Sequence, residues 1–189
     1  MSRGVQASDT RDGVEERKLD AITTLVQQHG IKQIALVVRD LDASMRSYWD
    51  LLRMGPWTAY TLTPEILKDM HYRGEPGHFS FRHALAWKDG VQIELVQPLA
   101  GRSIFADHLE RHGEGLHHVG IYVPDQPRAM EELKAAGFRL LQAARGFGAR
   151  GDGAFAYFET DHPLCTIVEV IGAPVERRAP SLVYPADKS

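Results

Sequence analysis

Residues 116–123 read LHHVGIYV, and residues 31–38 read IKQIALVV. Both stretches are apolar and rich in β-branched residues, which is typical of a buried or half-buried β-strand. In the earlier stretch Ile34, Leu36 and Val38 fall on one face of the strand. Each stretch is followed by a predicted helix and then by three more predicted strands. The sequence therefore predicts that one βαβββ unit occurs twice in this chain.

The first copy has clear helix and turn signals. Asp40 and Asp42 can cap the start of a helix, and Gly55 follows its last turn. Residues 57–62 are a predicted strand, and residues 79–87 and 91–97 form a predicted hairpin across Asp89-Gly90. The predicted buried stripe of the helix consists of Met45, Tyr48, Trp49 and Leu52.

The second copy repeats this order with shorter loops. Pro127 suits the first position of a helix that carries Met130 and Leu133 and ends at Gly137. Residues 138–143, 154–158 and 166–171 are three more predicted strands. We expect an α+β fold in which two tandem βαβββ modules, residues 31–100 and 115–172, form a cupped, barrel-like mixed sheet within one domain at 31–173.

Three segments lie outside this repeat. Residues 1–30 are predicted to be an N-terminal arm with a short helix at 20–28, and residues 174–189 a loosely attached tail. The first module contains an additional stretch, PEILKDMHYRGEPGH at 64–78, which we interpret as a polar loop. A loop of this length is either a functional lid that borders the site or a tolerated insertion.

Composition excludes several classes of protein. The formal net charge of -3 provides no basic surface for a nucleic-acid backbone. The only cysteine, Cys165, excludes a disulfide framework and a metal site built from several thiolates. No apolar run approaches the roughly 20 residues that span a bilayer, and the polar N-terminus has no signal region. We therefore expect a cytoplasmic protein that binds neither nucleic acid nor membrane.

A glycine-rich stretch, GFGARG at 146–151, formally matches the dinucleotide-binding pattern. That pattern requires a following helix, whose N-terminus holds the pyrophosphate, but the residues that follow here predict a strand. We interpret the stretch as an interstrand loop. Arg145 and Arg150 in and beside it could still contact a phosphate or carboxylate of a substrate.

Four polar residues interrupt the apolar strands at matching positions of the two copies. Gln33 corresponds to His118, and Glu94 in VQIELVQP corresponds to Glu169 in TIVEVIGAP. All four lie on the strand face away from the helices, where each buried polar group needs a partner. One divalent cation, Co, Ni, Mn, Fe or Zn, would satisfy two carboxylates, an amide oxygen and an imidazole and leave positions open for substrate.

Strand geometry indicates which other residues near these four can reach the same face. Neighbouring strand residues point to opposite faces, so only His118 of the pair His117-His118 is a ligand candidate; His117 is predicted to pack on the helix side with a hydrogen bond. Counting back across the Asp89-Gly90 turn pairs His83 with Val96, on the face of Glu94, which makes His83 a secondary catalytic candidate. The aromatic residues available to line a substrate cavity are Trp57, Tyr60, Phe79, Phe81, Trp87, Tyr122 and Tyr157.

The segments GLHHVGIYV, VQIELVQPL and IVEVIG resemble those of the vicinal oxygen chelate (glyoxalase/bleomycin resistance/dioxygenase) superfamily over roughly residues 31–171. Within it they look most like methylmalonyl-CoA epimerase, as does the loop ETDHPLCT, although epimerases commonly have histidine where this chain has Gln33. The ligand set Gln, Glu, His, Glu instead resembles zinc lactoylglutathione lyase. The resemblance implies that Gln33, Glu94, His118 and Glu169 are the metal ligands.

The resemblance also implies the chemistry. A divalent metal would act as a Lewis acid on the enolate formed when an α-proton leaves a carbonyl or acyl-thioester substrate, with Glu169 or Glu94 as the base. We expect an epimerase or racemase, and a homodimer; the alternative is a glutathione-dependent lyase. A ring-cleaving dioxygenase would need two histidines and one carboxylate, and a small-molecule binding protein would not need the four ligands.

Overall fold

The computed structural model describes residues 11–160 and 164–186, and within these ranges the chain forms four helices and eleven strands. The helices are α1 (Arg11–His29), α2 (Leu41–Leu52), α3 (Ile104–His112) and α4 (Gln126–Ala135). The strands are β1 (Gln33–Val37), β2 (Trp57–Leu62), β3 (Lys68–Tyr72), β4 (Glu75–Pro76), β5 (Ser80–Lys88), β6 (Val91–Ala100), β7 (Gly115–Tyr122), β8 (Leu140–Phe147), β9 (Gly153–Phe158), β10 (Ile167–Gly172) and β11 (Leu182–Tyr184). No described helix is both long and apolar enough to cross a membrane.

All the described strands belong to one curled mixed sheet with the order β11-β2-β5-β6-β1-β7-β10-β9-β8-β3-β4. The first module supplies β2-β5-β6-β1, the second supplies β7-β10-β9-β8, and they meet where β1 pairs antiparallel with β7. The predicted α+β fold with two tandem βαβββ modules is therefore confirmed.

The strand register shows that the two modules are related by an approximate two-fold. In the first module β1 pairs parallel with β6, and Gln33 lies opposite Gln92, two residues before Glu94. In the second module β7 pairs parallel with β10, and His118 lies opposite Ile167, two residues before Glu169. The correspondence of Gln33 with His118 and of Glu94 with Glu169, which the sequence predicted, is thus a property of the pairing.

The hydrophobic core consists of three clusters: two lie under helices, and one lies inside the cup of the sheet. Asp40 caps α2 by accepting a hydrogen bond from Ala43 N, and Leu41 and Met45 of α2 pack on Trp57 and Leu95. The predicted stripe is wrong at Leu52, the last residue of the helix, which is 61% exposed. A second cluster lies under α4 and α1, and a third, rich in aromatic residues, fills the cup.

Two helices differ from the prediction. The first extends over Arg11–His29 rather than 20–28, so the part of the N-terminal arm that the structure describes is helical, with Leu25 buried against the second module. Helix α3 was not predicted. It begins after Ser103, whose side chain accepts a hydrogen bond from Ala106 N, and its buried Ile104 and Phe105 help to close the cup.

The insert at 64–78 is not a polar loop. It contains β3, which pairs antiparallel with β8 of the second module, and the short strand β4. Leu67, Met70 and Tyr72 are buried in the aromatic cluster inside the cup. The backbone therefore connects β2, at one end of the two-module sheet, with β8, at the other end.

The segment after residue 173 is not loosely attached either. Strand β11 pairs antiparallel with β2, and Ser181 N donates to Ala59 O at 2.8 Å. At its other end Ala149 N donates to Glu176 O at 2.8 Å, and Val175 N donates to Asp152 Oδ2 at 3.0 Å. We call residues 173–186 the C-terminal strap; it joins the β8–β9 loop of one module to β2 of the other.

Candidate metal and substrate site

Three of the predicted ligands converge inside the cup. His118 is fully buried, and its Nε2 lies 3.2 Å from Glu94 Oε2 and 3.1 Å from Glu169 Oε2. Among the described residues, these three offer ligand atoms that all lie within 4.8 Å of one another, which is a spacing that could hold a metal ion. Gln33, the fourth candidate, is 3% exposed and lines the same small cavity as the two glutamates.

The hydrogen bonds of these residues leave one atom of each without a partner. Eight buried side-chain polar atoms in the described part of the chain make no hydrogen bond. Four of them are Gln33 Oε1, Glu94 Oε2, His118 Nε2 and Glu169 Oε2. Although Nε2 is close to both carboxylates, the N–H direction does not point at either oxygen. Since an unsatisfied buried polar atom costs about 1–3 kcal/mol, four at one place fit a site for a cation.

Gln33 is held by its amide nitrogen, and its oxygen is left without a partner. Its Nε2 donates to Gln92 Oε1 at 2.9 Å, and the Tyr122 hydroxyl donates to the same oxygen at 2.7 Å. Gly120 lies opposite Gln33 on β7, and a Cβ there would overlap Gln33 Oε1. The amide therefore has one orientation that its partners support, and Oε1 remains available as an acceptor.

Each glutamate has a second partner that fixes its other side. Glu94 Oε1 contacts His83 Nδ1 at 2.6 Å, and His83 lies opposite Val96 as predicted. On the other side of the site, the Tyr157 hydroxyl hydrogen-bonds to Glu169, which lies opposite it on β10. The carboxylates are thus oriented by an imidazole in one module and by a phenol in the other.

The charges in the cluster are strongly coupled. Burial opposes the ionisation of Glu94, but the nearby His118 and the hydrogen-bonded His83 outweigh it and lower its pKa to about 2. Burial also opposes the charging of His118, yet Glu169 and Glu94 raise its pKa to about 9. Burial raises the pKa of Glu169, with the Glu94 charge adding to it. Two carboxylates with little solvent around them give the cluster a preference for positive charge.

The prediction that His117 lies on the helix side of the strand with Val119 is wrong. A register shift between Ala35 and Leu36 marks an irregularity in β7 that turns His117 toward Phe105 of α3. Its Nδ1 is 2.8 Å from His118 Nδ1, which confirms the predicted hydrogen bond. Burial, together with the positive charge of His118, lowers the pKa of His117 well below its usual value. The neutral His117 therefore accepts from His118 Nδ1–H, which leaves His118 Nε2 facing the carboxylates.

Two connected cavities lead away from the cluster. The inner cavity, of about 30 Å³, is lined by Gln33, Glu94 and Glu169 among others. The outer one, of about 200 Å³, continues toward solvent. Both are bordered by Leu62, His83, Phe147, Pro174 and Arg177.

Of the predicted aromatic lining, four residues reach these cavities and three do not. Tyr60, Phe81, Tyr122 and Tyr157 line them. Trp57 packs under α2, Phe79 is in the core inside the cup, and Trp87 is 56% exposed. Phe147 and Phe155 were missed: Phe147 belongs to the glycine-rich stretch that was interpreted as a loop, and Phe155 lies on a predicted strand whose neighbours were not predicted.

The two arginines proposed from the glycine-rich stretch lie elsewhere. Arg145 ion-pairs with Asp69, and the Nε of Arg150 is 4.0 Å from Glu176; neither lines the inner or the outer cavity. A strand, β9, follows the stretch, so the interpretation as an interstrand loop is confirmed from Gly148 onward. The arginines that do border the outer cavity are Arg177 and Arg178 of the C-terminal strap.

Comparison with solved structures finds the same fold in methylmalonyl-CoA epimerases. A variant of the Streptomyces coelicolor enzyme in complex with 2-nitronate-propionyl-CoA superposes with a TM-score of 0.55 at 20% identity, covering 76% of this chain and 96% of that one. The Mycobacterium tuberculosis enzyme gives a TM-score of 0.53 at 24% identity and covers 77% and 90%. A methylmalonyl-CoA epimerase in complex with methylmalonyl-CoA and NH4+ gives 0.55 at 21% identity, covering 78% and 97%.

Comparison of sequences gives the family. No curated protein matches this chain. The sequence model of the Glyoxalase/Bleomycin resistance protein/Dioxygenase superfamily matches residues 32–158, which include β1, the Glu94 hairpin and His118. With a match over that length and the paired βαβββ modules, the chain belongs to the Glyoxalase/Bleomycin resistance protein/Dioxygenase superfamily.

Proposed function

We propose that the protein is a metal-dependent isomerase, an epimerase or racemase, that moves a proton α to a carbonyl or thioester. The observation that carries this proposal is the set of four unpartnered buried atoms, three of them from the close group Glu94, His118 and Glu169 and one from Gln33, which lines the same cavity as the two glutamates. These residues would hold one divalent ion, Co, Ni, Mn, Fe or Zn. When bound, such an ion supplies Lewis-acid stabilisation of the negative charge that develops on a carbonyl oxygen.

The positions of the two carboxylates support a proposal in which they transfer protons on two sides of a substrate. Glu94 is on β6 and Glu169 is on β10, and these strands flank the central pair β1–β7. A substrate carbon held between them could lose its α-proton to one carboxylate and regain a proton on the other face from the second. His83 and Tyr157 would keep the two carboxylates in position, and His83 could in addition exchange a proton with Glu94.

The cavities support a small carbonyl group deep in the site and a larger remainder outside it. The inner cavity has room for a few atoms, and the apolar part of its lining includes Leu62, Phe81, Phe147 and Phe155. Apolar walls exclude water from a developing negative charge, which strengthens its interaction with a nearby positive charge. The solved neighbours with CoA ligands suggest an acyl thioester as the first substrate class to test.

The test is solvent deuterium exchange at the α-carbon, followed by NMR with the metal-loaded protein. We expect exchange with at least one substrate among acyl-CoA thioesters, glutathione adducts and aromatic ketones. Glu169→Gln should lose most of it, because a positioned base contributes about 10²–10⁴-fold in rate. Glu159→Gln, at the residue that follows β9, is the control and should retain it. Oxygen consumption, or product without deuterium at the α-position even when exchange with solvent is fast, would contradict the proposal.

A glutathione-dependent lyase is the second candidate, and Gln33 is the observation that favours it. The amide is buried, is held by Gln92, and lines the same cavity as the two glutamates with its oxygen unpartnered. A glutathione hemithioacetal as the substrate that exchanges, with no exchange from acyl-CoA, would favour this candidate over the epimerase. A homodimer, expected from the resemblance, stays a prediction.

A further inference from the structure

The C-terminal strap presents an arginine to the cavities that lead from the carboxylate cluster. Arg177 lines both the inner and the outer cavity, and Pro174 lines them with it. The strap is fastened on both sides, to the β8–β9 loop through Glu176 O and to β2 through Ser181. A Cβ at Gly148 would overlap the Pro174 ring, so the loop is shaped to receive the strap. The backbone around Arg177 is therefore held beside the two cavities by hydrogen bonds on both sides of it.

No ion pair neutralises the charge of Arg177 in the part of the chain that the structure describes. Within the described ranges, no carboxylate lies at ion-pair distance from Arg177; its polar partner is the Tyr122 hydroxyl. By contrast, the neighbouring Arg178 donates from Nε to Gly148 O at 3.1 Å, which fixes the backbone of the loop. Apart from the two arginines, the lining of the outer cavity contains no carboxylate and includes Tyr60, Thr61, His83 and Ser181, whereas Glu94 and Glu169 line only the inner cavity. An arginine fork beside an outer cavity without a carboxylate is suited to an oxyanion.

We propose that Arg177 is a specificity-determining residue that binds an anionic group, a carboxylate or a phosphate, on the substrate. The inference deepens the proposed function, on which it rests for the location of the reacting carbonyl. The substrate would span the two cavities, with its carbonyl at the cluster of Glu94, His118 and Glu169 and its anionic group at the strap. Thr61 and Ser181 beside the outer cavity could contribute hydroxyl contacts to the same group.

The contact between Arg177 and Tyr122 connects this anion site to the cluster. Tyr122 donates to Gln92, and Gln92 accepts from Gln33, so a continuous set of polar contacts runs from the strap to a candidate ligand. An anion at Arg177 would therefore be bound beside the groups that orient Gln33. A surface arginine that is exposed only to solvent has no such connection to the candidate metal ligands.

The experiment measures equilibrium binding with ligand pairs that differ only in charge. The first pair is the N-acetylcysteamine thioester of methylmalonate and its methyl ester; the second is 2-oxopropylphosphonate and its dimethyl ester. Calorimetry would compare wild type with Arg177→Met, Arg177→Lys and Arg150→Met, the last being an arginine outside both cavities. The experiment measures binding and not turnover, so it tests the anion site even if no proton exchange is found.

We expect Arg177→Met to weaken the binding of the charged ligand of one pair roughly 10- to 100-fold, because it removes a charge-assisted hydrogen bond. The affinity for the corresponding ester should change less than about threefold. Arg177→Lys should restore part of the affinity, and Arg150→Met should change neither. The pair that shows the effect identifies the anion as carboxylate or phosphate. Equal losses for the charged ligand and its ester, or no loss for either charged ligand in a variant with wild-type circular dichroism, would overturn the proposal.

Discussion

Gly120 and Gln33 lie opposite each other on the antiparallel strands β7 and β1, and any side chain at position 120 would overlap the amide oxygen of Gln33. Gly120→Ala should therefore push Oε1 out of the cluster and weaken metal binding. Gln33→Ala should weaken it similarly, because it removes the same oxygen. The double variant should be no worse than either single one, since both act on one atom; additive losses in metal titrations would contradict this coupling.

His117 should matter for the metal site although it contacts His118 rather than the ligand atoms themselves. His117→Leu removes the acceptor for His118 Nδ1–H, and the loss of such an outer partner typically lowers metal affinity about 10- to 100-fold. His117→Gln retains an acceptor and should lose less. The measurement is competitive metal titration with a chromophoric chelator. Equal affinities in wild type and His117→Leu, with similar thermal unfolding of the metal-free proteins, would contradict the account.

The insert at 64–78 should be needed for folding as well as for substrate choice. Trimming it would remove Leu67, Met70 and Tyr72 from the core, and each such loss costs about 2–5 kcal/mol, so the trimmed chain should not fold. Ile66, which lines the outer cavity, is the better probe. Ile66→Trp should reduce the affinity for bulky ligands with little change in the unfolding temperature, and Glu65→Trp, an exposed neighbour, should not. A trimmed chain with wild-type stability would show that the insert is only a surface addition.

The contact between the insert and α3 should make stability depend on pH in acid. Burial opposes the ionisation of Asp107, but hydrogen bonds from Arg73 and Tyr72 outweigh it and lower its pKa. A lowered pKa gives stability that is complete above the unfolded value, about 3.9, and is lost as pH falls through the folded value. Asp107→Asn should cost about 1 kcal/mol at pH 7, since the pair is partly exposed, and less below pH 4. Urea denaturation at pH 7 and below pH 4 measures the free energy of unfolding of both proteins. A stability difference between wild type and Asp107→Asn that does not shrink in acid would contradict the prediction.

The strands and the candidate ligands could be predicted because they follow a local rule. Alternation of apolar and polar residues fixes which face of a strand is buried, so a polar residue such as Glu94 or Glu169 on the inner face is visible in the sequence. The matched spacing in two copies then relates Gln33 to His118 without any knowledge of distances. Their convergence follows from the β1–β7 pairing, which an internal repeat already suggests.

The parts that could not be predicted depend on contacts between distant segments. Strand β11 has three residues and no strong alternation, and it is a strand because β2 offers a free edge. Arg177 lies in a polar, proline-rich stretch that is typical of a tail, so its position at the cavities has no local signal. Two features could have been found: Met70 and Tyr72 alternate as in a strand, and Ser103 caps a stretch with apolar residues at helical spacing.

The most direct test of the metal site is the metal content of the purified protein, measured by mass spectrometry after exposure to a mixture of the five candidate ions. The account predicts one divalent ion per chain in wild type and in Glu159→Gln, whose carboxylate lies outside the site. Glu94→Ala and His118→Ala should each lose it while retaining the circular dichroism of the folded protein. Unchanged metal content in both variants would show that Gln33, Glu94, His118 and Glu169 do not bind a metal together.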